Sequence, residues 1–146
     1  MDKVINLTET VCCSVAEAFQ CFTDVRRVCQ WLTLEANITP QVAGEYELFW
    51  DPENKNINST IGCKITAISK NQLLAFEWKS PVMFKSFANT GDPLTHVVVS
   101  FHSLGDKTVI HLIHSGWRAS PEWQEACAWQ QRAWETAFDN LKSMFF

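Results

Sequence analysis

Apolar residues recur along this chain with a period of about two in its middle and about 3.6 at its end, and the switches between the two delimit its elements. Lys3 to Val11 alternates weakly and reads as a first strand. Ser14-Val15-Ala16-Glu17 has the form of a capping box, and Val15, Ala18, Phe19 and Phe22 follow at helical spacing. Asp24 caps a second short helix in which Val25, Val28, Cys29 and Leu32 repeat that spacing, with Trp31 beside them. Glu45 to Asp51 then alternates as a strand, Tyr46, Leu48 and Trp50 on one face, Glu45, Glu47 and Asp51 on the other, with Phe49 out of pattern. After the polar turn Pro52 to Asn58, one strand carries Ile61, Cys63, Ile65 and Ala67 on a common face, and the next carries Leu74, Phe76 and Trp78.

Thr95 to Ser103 and Thr108 to Ser115 flank Gly105-Asp106, a Gly-first pair suited to a type II′ hairpin turn. That turn opposes Leu104 to Lys107, hence Phe101 to Ile110, Val99 to Leu112 and Val97 to His114. The apolar faces coincide in this register, so His114 points inward and His111 outward. Between this hairpin and the strand before it lies Ser80 to Leu94, a long connection with Met83, Phe84 and Phe87; loops of this length are usually functional or mobile. Ser120-Pro121-Glu122 opens the last element as N-cap, first helical position and acidic first turn. Trp123, Cys127, Ala133, Trp134, Ala137, Phe138, Leu141 and Phe145 then fall near one face of an uninterrupted helix. At ~25 residues it would be ~37 Å long, enough to cross a small domain.

Strand, two short helices, antiparallel meander and long terminal helix is the order of the α+β helix-grip fold, in which a curved sheet wraps a C-terminal helix. Particular residues point the same way: Trp31 ending the second helix, Ala43-Gly44-Glu45-Tyr46 opening a strand, and Gly62-Cys63-Lys64-Ile65 opening another. The run Thr108 to His114-Ser115-Gly116-Trp117 and the later Trp134 with Phe138-Asp139-Asn140-Leu141-Lys142 complete the set. In these features the chain resembles the START-like (Bet v 1-like) superfamily, and within it the branch named for the activator of heat-shock protein 90 ATPase. The likeness runs from about Thr10 to Phe145. It departs at Ala43, where the family often has glycine, and at Ala133, where glycine commonly precedes the helix tryptophan; Ala133 would narrow the gap between helix and sheet. The resemblance implies a ligand-binding module with an apolar cavity between sheet and helix, some wider relatives being enzymes of hydrophobic substrates. The family's co-chaperones carry a further N-terminal region that this sequence does not show.

Composition bounds the alternatives. At 146 residues, 47% hydrophobic and 19% charged, the chain is expected to form one domain, residues 1–146, with a sizeable core. A net charge of −4 with no basic cluster argues against nucleic acid as partner, and no apolar run is long enough for membrane insertion. The first strand begins at once, without a secretory leader, and the six cysteines form no CxxC pair. A cytoplasmic protein with reduced, mostly buried thiols is the expectation. Cys12-Cys13, before a helix N-terminus, is where a thiolate would be stabilised, but no histidine base is placed near it.

The candidate chemistry lies in the cavity. Trp31, Trp50, Phe76, Trp78, Phe101 and Trp134 are candidate apolar walls, or else simply fill the core. Phe84 and Phe87, with Met83, are a candidate lid. Tyr46, His114 and Gln130 are the candidate polar groups: an inward strand tyrosine, an inward strand histidine, and a glutamine within or beside the helix stripe. For each, ordinary packing is the competing explanation. The other three histidines face away from His114, so no metal set converges, and no nucleophile, phosphate or dinucleotide motif or cofactor signature is present. The leading expectation is therefore binding of a small hydrophobic or aromatic ligand without recognisable catalytic machinery. An enzyme using His114 as acid or base is the first alternative. A chaperone accessory or homodimer with Met83 to Phe87 as contact patch is the second.

Overall fold

A computed structural model describes residues 3–145. Its elements are β1 (Ile5–Val11), α1 (Val15–Thr23), α2 (Val25–Trp31), β2 (Glu35–Ile38), β3 (Tyr46–Phe49), β4 (Ile65–Ser69) and β5 (Leu73–Trp78). A 3₁₀ turn (Val82–Phe84) and a helical turn α3 (Lys85–Ala88) precede β6 (Thr95–Leu104), β7 (Lys107–Ser115) and α4 (Pro121–Ser143). Five antiparallel strands lie in the order β1-β7-β6-β5-β4, and β2-β3 form a separate pair. The two sheets nearly join, because the Ile65 N–H donates to Gly44 O and the Tyr46 N–H to Cys63 O. Gly44 is required there: a Cβ would stand 2.1 Å from the Thr39 carbonyl oxygen. This is the α+β helix-grip architecture, a curved sheet around the long helix α4.

Local chemistry accounts for the helical corner. Ser14 Oγ accepts from the Glu17 N–H and donates to the Glu17 carboxylate, and Asp24 accepts from the Arg26 N–H. Ser120 has the extended backbone of an N-cap, but its hydroxyl makes no capping bond. The β6–β7 register matches the one deduced from the turn, with Leu104 opposite Lys107 and Val97 opposite His114. Gly105 alone in that turn has positive φ, +63°, as a type II′ turn demands.

Three expectations change. The strand expected to start near Ile61 begins only at Ile65, and a bulge between Ile65 and Ala67 reverses its faces: Ile68, not Ala67, packs on the core. The short strand β2 has no counterpart in the sequence reading; Glu35-Ala36-Asn37-Ile38 holds too few apolar residues to show a period. Ser80 to Leu94 is not an open loop. Asn89 pins it by accepting from the Ser80 N–H and donating to Ser80 O, while Asn58 accepts from the Val82 N–H.

The buried stripe of α4 is Trp123, Ala126, Cys127, Gln130, Trp134, Ala137, Phe138 and Leu141. Its C-terminal half meets a dense aromatic cluster. Phe101 contacts Phe19 and Phe22, each at 5.4 Å between centroids, and Phe22 and Phe138 pack on Trp31. That cluster is filled, and beside it, along Trp129 to Ala137, a cavity remains.

Candidate functional site

Where α4 passes the ends of β3 and β5, it stands away from the sheet and leaves a cavity of about 390 Å³. Small-molecule sites typically span ~300–1,000 Å³. Its wall is made by Leu32 after α2, Trp50 after β3, and Asn58 and Ser59 from the following turn. Trp78, Lys79 and Pro81 continue it from β5, Met83 caps it, and Trp129, Gln130, Ala133, Trp134 and Ala137 close it from α4. The seven tryptophans thus divide: Trp50, Trp78, Trp129 and Trp134 surround space, Trp117 and Trp123 pack elsewhere in the core, and Trp31 is buried in the core beside an adjoining groove. Two shallower grooves adjoin it, one past Trp31 and one past Phe84 and Phe87, and Trp129 borders all three.

Three of the four wall tryptophans are each held by a hydrogen bond. Trp50 donates to Leu32 O at 2.8 Å, Trp134 to His114 Nδ1 at 3.1 Å, and Trp78 to Gln130 Oε1 at 3.2 Å. Trp78 sits 5.0 Å from Trp134 and 5.8 Å from Trp50. Indole N–H groups only donate. These contacts therefore also fix which atoms of Gln130 and His114 face which way.

His114 is fully buried, and its bonds determine its state. Nδ1 accepts from Trp134, so the ring proton is on Nε2, which donates to Thr95 Oγ1 at 3.0 Å. Burial, with a smaller contribution from His96, pushes its pKa well below the usual 6.5. The imidazole is neutral, saturated and outside the cavity lining, so the geometry offers no support for acid–base chemistry there. The hydroxyl of Tyr46 likewise donates to Phe22 O at 2.8 Å, and its ring stacks on Phe76 at 4.0 Å. Tyr46, Phe76 and His114 lie behind the cavity wall, and Phe101 packs on Phe19 and Phe22; none of the four lines the cavity.

Gln130 is 4% exposed, so the helix stripe does include it. Trp50, Trp78, Gln130 and Trp134 are the anticipated residues that meet at the cavity; Trp31 borders the groove beyond it. Phe84 is buried against Phe87 and Trp129, bracing the segment from which Met83 projects. Leu32, Lys79 and Trp129 were not anticipated. Trp129 carried a signal, since Trp129, Ala133 and Ala137 recur at i, i+4 and i+8 on α4. Cys13 is buried, and burial raises its thiol to about 11, which disfavours its thiolate. Among the described residues no group of three metal-ligating side chains occurs, and no helix is long and apolar enough to cross a membrane.

The sequence matches the family model described as Activator of Hsp90 ATPase homolog 1-like protein over residues 13–145. The chain belongs to that family. Solved structures agree on the fold. A Mesorhizobium loti protein superimposes with a TM-score of 0.77 at 15% identity, covering 97% of this chain and 95% of its own. An Hsp90 activator from Plasmodium falciparum gives 0.75 at 20% identity, covering 97% and 94%. The Aha1 dimer from Colwellia psychrerythraea gives 0.74 at 15%, covering 98% and 96%. No curated protein matches significantly.

Proposed function

We propose that this member of the family binds a small apolar, aromatic compound in the cavity between sheet and α4. The observation that carries the reading is the unfilled space itself, walled by four tryptophans beside a core of fully buried aromatic and aliphatic side chains. Apolar burial would drive binding at ~25 cal/mol per Å² gross, less the costs of association and ordering. Trp50, Trp78 and Trp134 form the flat walls in this reading, and Gln130 supplies polarity. Trp31 borders the approach. Phe84 and Phe87 brace the lid formed by Met83; Tyr46, Phe76 and His114 stiffen the wall from behind, and Phe101 belongs to the packed cluster with Phe19 and Phe22.

The test is a fluorescence titration with N-phenyl-1-naphthylamine, which brightens on leaving water. Saturable one-site binding and a raised melting temperature are expected; at a hundredfold excess over Kd the stabilisation is ~2.7 kcal/mol. A linear, unsaturable response with an unchanged melting temperature would overturn the reading.

A second reading, association with a chaperone or a second copy, draws support from Val82 and Met83, which are 50% and 56% exposed beside the Phe84–Phe87 segment. Light scattering of the protein and of Met83→Ser distinguishes it: an interaction patch predicts a dimer that the substitution weakens.

A further inference from the structure

Around the cavity, the polar groups left with no hydrogen bond at all among the described residues are donors, while the amide oxygens of Gln130 and Asn58 each already accept one bond. Gln130 has one amide oxygen and one amide nitrogen, which ordinary geometry alone does not tell apart. Here they are distinguishable, because the Trp78 indole N–H can only donate and therefore takes the oxygen, at 3.2 Å. The nitrogen is left without a partner among the described residues. Gln130 is 4% exposed, yet among the described residues no fully enclosed side-chain nitrogen or oxygen is unsatisfied, so Nε2 opens onto the cavity that Gln130 lines.

Asn58 follows the same logic at the rim. Its Oδ1 accepts from the Val82 N–H at 2.9 Å, leaving Nδ2 as the spare group. The Trp129 indole, also in the wall, is another donor with no partner among the described residues. Lys79 is held on Ile61 O at 2.6 Å. Ser59 is already spent, donating to Lys55 O and accepting from the Ile61 N–H. No Asp or Glu is among the lining residues.

Resting on the ligand-binding reading, we infer that the ligand is an aromatic compound bearing a conjugated acceptor oxygen, received by Gln130 Nε2. A carbonyl, a quinone oxygen and a carboxylate share that chemistry. An ammonium group fits poorly, since the wholly unpartnered groups it would face are donors and no carboxylate lines the cavity to balance its charge.

Shape-matched probes test this directly: fluorene, 9-fluorenone and 9-aminofluorene, each measured by displacement of N-phenyl-1-naphthylamine from the full chain. The expected order is fluorenone tightest and aminofluorene weakest. Gln130→Met, which keeps the length and removes the donor, should cut the fluorenone-to-fluorene affinity ratio about fivefold, the scale of one net hydrogen bond. Fluorene binding in that variant serves as its control for folding. Should the variant fail to bind fluorene, the probe order in the unaltered protein decides. Fluorene binding as tightly as fluorenone, or aminofluorene tightest, overturns the inference while leaving the cavity reading intact. Carboxylates are separated from neutral carbonyls by adding fluorene-9-carboxylate: tighter binding than fluorenone assigns an acid, weaker binding a ketone or quinone. Failure of every probe and of the reporter itself overturns both inference and cavity reading.

Discussion

Replacing Ala133 by leucine distinguishes real space from a packed core by the sign of its effect. Ala133 faces both the cavity and the adjoining groove, and it is only partly buried. Leucine adds about three methylene equivalents, worth ~2.4 kcal/mol gross at ~0.8 each if fully buried. Ordering the side chain costs ~0.5–1 kcal/mol, and partial exposure removes part of the gain, leaving about 1 kcal/mol of stabilisation. With an m-value of ~2 kcal/mol per molar urea, the unfolding midpoint should rise by about 0.5 M at constant slope. The same side chain should occupy ligand space, so N-phenyl-1-naphthylamine binding should weaken at least tenfold. Were the site already packed, overpacking would cost ~1–3 kcal/mol instead. A lowered midpoint with reporter binding unchanged would refute the cavity.

His114 links stability to acid. It stays neutral in the folded chain because its pKa is depressed, whereas in the unfolded chain it takes up a proton near 6.5. Its contribution is therefore fully present above 6.5 and is lost as pH falls toward the folded value, by at most ~1.4 kcal/mol per pH unit. Urea midpoints between about pH 7.5 and 5 should show that decline, and His114→Gln should flatten it; equal slopes would contradict the assignment. Tyr46→Phe should cost ~1–2 kcal/mol by stranding the Phe22 carbonyl while leaving reporter affinity unchanged, since the hydroxyl points away from the cavity. A loss of affinity at constant stability would place Tyr46 on the ligand instead. Gly44→Ala, whose Cβ would meet Thr39 O at 2.1 Å, should lower stability by more than ~2 kcal/mol in urea unfolding, whereas Gly105→Asn in the hairpin turn should cost far less.

Features fixed by local chemistry were legible in the sequence. The Gly105-Asp106 turn determines a register, and a register determines which face His114 occupies. Capping residues located α1 and α2, and the spacing from Trp123 to Leu141 located α4. What depends on distant partners was not legible. That Trp134, on another element, would take Nδ1 of His114 follows from tertiary placement, and so does the withdrawal of Tyr46 toward Phe22. The bulge at Ile65–Ala67 inserts an unpaired residue with no glycine to mark it. The division of the tryptophans into fillers and walls depends on how far α4 stands from the sheet, which no periodicity records. Gln130 lay between these cases: its place in the stripe was readable, but the direction of its amide required Trp78 to be placed opposite.

Native mass spectrometry, on the protein as purified and again after adding excess 9-fluorenone, tests the central claim most directly. The account predicts a non-covalently bound compound, present on purification or acquired on addition at one per chain, and released by organic denaturation. A bare protein mass in both spectra would contradict it.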